Sequence, residues 1–386
     1  MIFQDPLLLP GILIIFFILA LLVIAVINMS YLRNLRDYKK INLYPRISAL
    51  VPARNEEGKI GACVNSLLAQ DYPDFQVIVL NDNSTDHTGE ILDAIALNDS
   101  RLKVINGRLL PAGWLGKHWA CHQLYMEADG ELLIFTDSDT VHSPDTLRCT
   151  AAAIQNENAD MISIIPRHNL RTWAEKLIMP FFALGVFAII PLPSSLRPKR
   201  FKVLSSSGKL MAFRRKSYEI CGGFESIRQN VMDDLELPQR VISCGMRYRL
   251  LNGTDNVSCR MYHSFKEVHE GLTKNMFASY GYNIALITFT WLWISFAFWE
   301  PVLVITAYRI PDYPPTLSIG LAAISIIATL LLWGIYYKHF KFPLYMIFFY
   351  PVSVALMAAI SVSSMVLTLS GHAVWKDRKM PTRKMY

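Results

Sequence analysis

The sequence predicts an α/β domain of parallel strands carried with α-helical transmembrane segments. Three observations predict it. Hydrophobic residues make up 52% of the 386 and charged residues only 18%, against about 25% charged in a typical soluble domain. Long, nearly unbroken apolar runs stand at the start of the chain and in its last third. Between them, short β-branched runs alternate with segments of helical spacing, the pattern of strands joined by helices.

The run from Leu7 to Ile27 is long enough to cross about 30 Å of hydrocarbon. A secretory signal would begin basic and end at a small-residue cleavage site. This start carries Asp5 and no lysine or arginine, so residues 1–30 read as a retained anchor. Arg33, Arg36, Lys39, Lys40 and Arg46 follow. By the positive-inside rule they put the N-terminus outside and the next domain in the cytoplasm of a multi-pass protein of the cell membrane.

Residues 45–275 read as that domain. Ile47 to Val51, Phe75 to Leu80, Leu102 to Ile105 and Leu132 to Phe135 are expected strands, and Gly58 to Gln70 an expected helix with Ile60, Val64, Leu67 and Leu68 on one face. Parallel strands in this order put ligand loops at their C-terminal ends. Residues 179–193, bracketed by Pro180, Pro191 and Pro193, are short for a span and read as an interfacial or re-entrant helix. Residues 281–370 hold three further apolar runs, Ile284 to Ala307, Thr316 to Tyr337 and Phe342 to Leu369, and read as a C-terminal transmembrane bundle. Residues 371–386 form a basic tail. Its Lys376, Arg378, Lys379, Arg383 and Lys384 prefer the cytoplasm, whereas alternation of three spans puts the tail outside; the two cues conflict.

The formal net charge of +7 has two physical readings, membrane flanks facing anionic headgroups and attraction of an anionic substrate. No basic run interleaved with aromatics stands clear of the membrane flanks, which argues against a nucleic-acid partner. The six cysteines make no C-x-x-C pair, so zinc and a disulfide framework are not expected.

The chemistry-bearing residues fall in the expected loops. Asp137 and Asp139 end the strand Leu132 to Phe135, a spacing that offers oxygen ligands to Mg²⁺ or Mn²⁺ bridging a diphosphate; the plain alternative is a solvated acidic loop. Pro52-Ala-Arg54-Asn-Glu56 and Asn81-Asp82-Asn-Ser-Thr-Asp86 follow the first two strands. Asp82 and Glu56 suit donors on a base or ribose. Asn55, Ser84 and Thr85 suit caps of the helices that follow.

These segments resemble family 2 glycosyltransferases, inverting enzymes of the A-type nucleotide-diphospho-sugar fold. The resemblance implies that Asp82 touches the base and that Asp137 and Asp139 hold metal and diphosphate, with Pro52, Arg54 and Glu56 in the nucleotide-sugar site. It extends to Pro111-Ala-Gly-Trp114-Leu-Gly-Lys117, whose lysine matches one near the diphosphate and whose Trp114 is a secondary candidate. It extends also to Ser207-Gly-Lys-Leu-Met-Ala-Phe-Arg-Arg215, and to Val231-Met-Asp-Asp234-Leu-Glu-Leu237. There Asp234 takes the place of the general base, and Asp233 stands where the family has glutamate. A neighbouring carboxylate would raise the pKa of that base; an acidic first turn of a helix starting near Leu235 is the plain alternative.

The Q-x-x-R-W of processive members is not found. The Gly-Trp-x-Gly-Lys segment, Gly271 to Asn275 and Val374 to Arg378 are similar to lipid-modifying members, among them hopanoid-associated and carotenoid glycosyltransferases and, more distantly, ceramide glucosyltransferases. Lys376 and Arg378 are thereby secondary candidates for diphosphate or headgroup contact, or else membrane flanks. The resemblance implies one sugar transferred from a UDP-sugar to a hydroxyl or carboxylate of a membrane lipid, with Mn²⁺ or Mg²⁺. A polyprenyl-phosphate glycosyltransferase and a processive polysaccharide synthase are the enzymatic alternatives. A scaffold or transporter with a degenerate sugar-nucleotide module is the non-enzymatic one, and Glu300 is the acid within the later apolar runs that it would use.

Overall fold

The computed structural model describes residues 5–188, 191–195, 206–307, 316–371, 374–375 and 378–379. In chain order these form helix α1 (Leu8–Tyr31), β1 (Ile47–Ala53), α2 (Ile60–Leu68), β2 (Phe75–Asn81), α3 (Thr88–Ala96), β3 (Leu102–Asn106), α4 (Gly116–Glu127), β4 (Leu132–Thr136), β5 (Thr140–His142) and α5 (Thr146–Asn156). There follow β6 (Met161–Ile165), β7 (Arg167–His168), α6 (Trp173–Ala188), α7 (Leu192–Ser195), β8 (Leu210–Arg214), α8 (Arg215–Cys221), α9 (Asp233–Ser243), β9 (Tyr248–Asn252) and β10 (Val257–Cys259). Helices α10 (Phe265–Ser279), α11 (Ile284–Ala307), α12 (Thr316–His339) and α13 (Tyr350–Leu369) and the short pair β11 (Val374–Trp375) and β12 (Arg378–Lys379) complete the described chain.

The chain divides into two compact units. One comprises Tyr31–Asn169 and Leu192–Met261; the other comprises Met1–Ser30, Leu170–Pro191 and Tyr262–Tyr386. The first unit is built on a seven-stranded sheet in the order β3-β2-β1-β4-β8-β6-β9. Strands β1 to β4 run parallel, as do β6 and β9. Strand β8 lies between β4 and β6 and runs antiparallel to both, so the sheet is mixed where the sequence pattern predicts only parallel pairing. Strand β4 is buried at every position, as expected of a central strand covered on both faces. Helix α2 buries Ile60, Cys63, Val64, Leu67 and Leu68, the i, i+3, i+4, i+7, i+8 stripe of an amphipathic helix. Pro52 lies in β1 beyond the stretch that pairs with β4, which ends at Leu50, where a missing N–H costs that ladder nothing. A smaller sheet, β5-β10-β7, completes the unit.

Among the described residues of the second unit four helices are long and apolar enough to cross a membrane: Leu8–Tyr31, Ile284–Ala307, Leu317–His339 and Leu344–Leu369. Ile14 and Ile18 of α1 pack on Ala297 and Ala328, and Asp5 accepts a hydrogen bond from Ser318. Leu9, Phe16, Phe289, Leu292 and Phe348 stay exposed, an outward apolar surface that suits lipid better than water. Helix α6 begins at Trp173, earlier than the predicted run, and carries Pro180 inside it. The Trp173 ring stacks on Phe265.

All six cysteines are free, and only Cys244 is exposed.

Candidate active site

The loops after β1 and β2 are sewn together. The Arg54 guanidinium donates to the Asp82 carbonyl at 2.8 Å. The Asn55 N–H donates to Ser84 Oγ at 3.0 Å, and Asn55 Oδ1 accepts the Thr85 N–H at 2.9 Å. Asn55 adopts φ 52°, a left-handed conformation that asparagine tolerates better than most residues. These side chains therefore cross-link two loops instead of capping helices as the sequence suggested; the residues preceding α2 and α3 are Lys59 and His87. The Glu56 N–H donates to Thr88 Oγ1 at 2.8 Å, and Asp82 is buried.

The third loop carries Asp137 and Asp139 out of β4. The Asp137 carbonyl accepts from Thr140 Oγ1 at 2.7 Å, and Thr140 Oγ1 lies 2.9 Å from His142 Nε2. Burial pushes the His142 imidazole down to about 3, so it stays neutral behind the loop. Both carboxylates face lysines. Lys209 Nζ is 2.8 Å from each oxygen of Asp139 and 3.0 Å from Asp137 Oδ2. Lys117 Nζ is 3.0 Å from Asp137 Oδ1 and 3.1 Å from Asp233 Oδ2.

Lys117 sits in the first turn of α4, where the helix dipole disfavours a cation. Desolvation also works against its charge, but Asp137 and Asp233 outweigh it and hold the ammonium well above the ordinary lysine range. The same pairing acts on the partners. Burial opposes the ionisation of Asp137, and Lys117 and Lys209 overcome it, so its carboxyl lies below the usual range. Asp233 is likewise held low, with Lys117 and His118 offsetting its burial. Asp234 goes the other way. Burial first and the Asp233 charge second push it up to about 6. The sequence pointed to the second of these causes; burial was not visible from it.

Asp233 and Asp234 open α9, where the dipole favours anions. Pro238 lies inside that helix and has no N–H to give the Asp234 carbonyl. A side chain on Gly208 would place its Cβ 3.3 Å from Asp234 Cβ. The backbone thus comes close to the acidic loop there.

Asp137, Asp139, Lys117 and Asp233 are thus brought together, with Asp234 adjoining. Trp114 packs instead on Trp119 and His122, at 5.2 and 5.1 Å between ring centroids. Lys376 lies outside the described residues, and Arg378 pairs with Trp375 across β11 and β12. Lys209 is a site residue that the sequence motifs do not mark. The available signal was a charged residue at the entrance to an apolar strand, after Ser207-Gly208.

The carboxylate pair fits a hard divalent cation. Its donors are all oxygen, and a cationic group already sits between them. Among the described residues no group of three or more His, Cys, Asp or Glu side chains is placed to hold a metal. The chain would therefore supply two carboxylates, with the remaining ligands coming from substrate phosphates and water, as Mg²⁺ commonly accepts.

The mixed sheet, with an acidic pair at the end of its central strand, has the A-type nucleotide-sugar-transferase fold. The fold of a mannosyltransferase from Pyrobaculum calidifontis, solved in complex with GDP-mannose and Mn²⁺, matches with a TM-score of 0.52 at 16% identity, over 90% of this chain and 99% of that one. Residues 48–221 match the model of Glycosyl transferase family 2. A probable glycosyltransferase of Bacillus subtilis, YdaM, is 25% identical over 57% of this chain and 52% of its own. The 4,4'-diaponeurosporenoate glycosyltransferase of Staphylococcus aureus is 26% identical over 60% of each chain. The chain thus spans about half to three fifths of the length of these relatives. The family match ends before Asp233 and Asp234.

Proposed function

We propose that this protein transfers a single sugar, with inversion, from a nucleotide-sugar of the UDP class to a membrane lipid. The observation that carries the reading is the continuous ionic chain Asp139–Lys209–Asp137–Lys117–Asp233, which ends beside a carboxyl pushed up to about 6. Asp234 is the general base. It takes the proton from an acceptor hydroxyl as that oxygen attacks the anomeric carbon opposite the departing diphosphate. A base poised near neutral pH suits a hydroxyl, which must lose a proton, better than a phosphate acceptor, which needs no base.

Lys117 binds and orients the diphosphate. Arg54 holds the Asp82 loop in place, and Pro52, Glu56 and Asp82 line the nucleotide's side of the site. Asp137 and Asp139 would hold Mn²⁺ or Mg²⁺, whose chemistry when bound would be to neutralise diphosphate charge. The four long apolar helices support a protein of the cell membrane, and the basic residues Arg33, Arg36, Lys39, Lys40 and Arg46 support a cytoplasmic side for the catalytic part. The carotenoid substrate in the name of one relative supports an isoprenoid or similar lipid as acceptor.

Mass spectrometry of lipids from cells with and without the protein tests this reading. A hexose-sized mass increment on one lipid class is expected, lost in an Asp234→Asn variant. A fully active Asp234→Asn variant would remove the base and favour a polyprenyl-phosphate acceptor. Failure of the purified wild type to release nucleotide from any donor in the presence of lipid extract would favour a scaffold.

A further inference from the structure

Lys209 is fixed from two directions. Its carbonyl accepts hydrogen bonds from Thr136 Oγ1 at 2.8 Å and from the Asp137 N–H at 3.3 Å. Its ammonium then turns back onto the same loop, 2.8 Å from both oxygens of Asp139 and 3.0 Å from Asp137. The side chain is only 13% exposed. The antiparallel register, with Leu210 opposite Thr136, sets the lysine at the mouth of β4. Both carboxylates that a cation would need are thus already taken.

We propose that Lys209 is a built-in counter-ion of the Asp137–Asp139 pair, which keeps out a free divalent cation and yields only to a cation that arrives with an anionic diphosphate. This inference rests on the nucleotide-sugar reading above. A cation alone would have to displace the ammonium and leave it buried without a partner, a costly arrangement. A diphosphate removes that cost in two ways. Its oxygens complete the cation's shell, and they accept charge-assisted hydrogen bonds from the displaced ammonium. Nor would the diphosphate enter well alone, because the lysines that would receive it, Lys117 and Lys209, are already held by Asp137, Asp139 and Asp233. Cation and nucleotide therefore bind with positive coupling, and linkage makes the coupling equal in both directions.

The test is Mn²⁺ titration of the full-length, detergent-solubilised protein, read by the loss of the free-ion paramagnetic resonance signal. It is run without nucleotide and with saturating UDP or GDP, on wild type, Lys209→Met and Lys209→Arg. The wild type should bind Mn²⁺ weakly alone and about tenfold or more tightly with nucleotide, the scale on which one neighbouring charge shifts an ionisation. Lys209→Met should bind Mn²⁺ alone about tenfold more tightly than wild type and lose most of the coupling. Lys209→Arg, which keeps the charge, should follow wild type. Removal of the ammonium leaves the carboxylates mutually repelling. Mn²⁺ should therefore raise the melting temperature of Lys209→Met more than that of wild type, a readout that holds even where the variant folds poorly without metal. Equal Mn²⁺ affinities for wild type and Lys209→Met, with nucleotide bound normally, would overturn this inference alone. Absence of nucleotide binding with Mn²⁺ in both proteins would overturn the nucleotide-sugar reading as well.

Discussion

The ammonium of Lys117 stands 3.1 Å from the carboxylate of Asp233, the residue immediately before the proposed base. A residue proposed to bind the donor diphosphate thereby sets the charge next to the proposed base. Removing it should be felt in both places. A Lys117→Met variant should raise KM for the donor and move the acid limb of the rate profile upward by about one pH unit, because Asp233 loses its opposite charge and Asp234 loses a stabilising one. Lys117→Arg should keep most of the limb's position while still binding the diphosphate less well, since its planar fork differs from a point charge. Initial rates against pH at saturating and limiting donor separate the two effects.

The pH dependence has a definite sign. Asp234 must be ionised to accept a proton, and it is pushed up to about 6 by burial and by Asp233. The rate should therefore fall about tenfold per unit below that value and level off above it. Asp233→Asn removes the like charge and should shift the limb to lower pH. It should leave part of the elevation in place, because burial is the larger cause. Asp234→Asn should cost about a hundredfold to ten-thousandfold in kcat with nucleotide binding unchanged. A limb that stays fixed in Asp233→Asn would assign the titration to another group.

The cross-linked loops make a prediction independent of any substrate. Asn55→Ala removes the acceptor for the Thr85 N–H and puts a less tolerant residue at φ 52°. It should lower stability by about 1–2 kcal/mol. Asn55→Gly should recover the backbone part of that loss but not the hydrogen bond. Denaturant melts of the three proteins measure it.

Much of this arrangement is legible in the sequence because its signals are local. Each of β1, β2 and β4 is a short apolar run that ends in polar residues, and the acidic residues at those ends appear as such in the chain. What is not legible depends on distant register. Lys209 reaches Asp139 only because β8 enters the sheet antiparallel beside β4, and no pattern near residue 209 encodes which strand it will pair with. The capping roles suggested for Asn55 and Ser84 gave way to bonds between loops for the same reason. Local spacing describes what a side chain can do within its own segment, but not which neighbour competes for it. The order of causes at Asp234 is a third case, since burial belongs to the folded domain and the Asp233 charge to the adjacent position.

The insertion of β8 also bears on how the domain is made. Residues 132–136 find their antiparallel partner only in residues 210–214, and contacts this far apart along the chain form slowly. A nascent chain that has not yet delivered β8 leaves β4 as an open edge, a ready template for wrong pairing. At its end are two carboxylates still lacking one of their two lysines. The domain therefore has no safe truncation point ahead of Arg214: any shorter fragment trades the centre of its sheet for an aggregation-prone border.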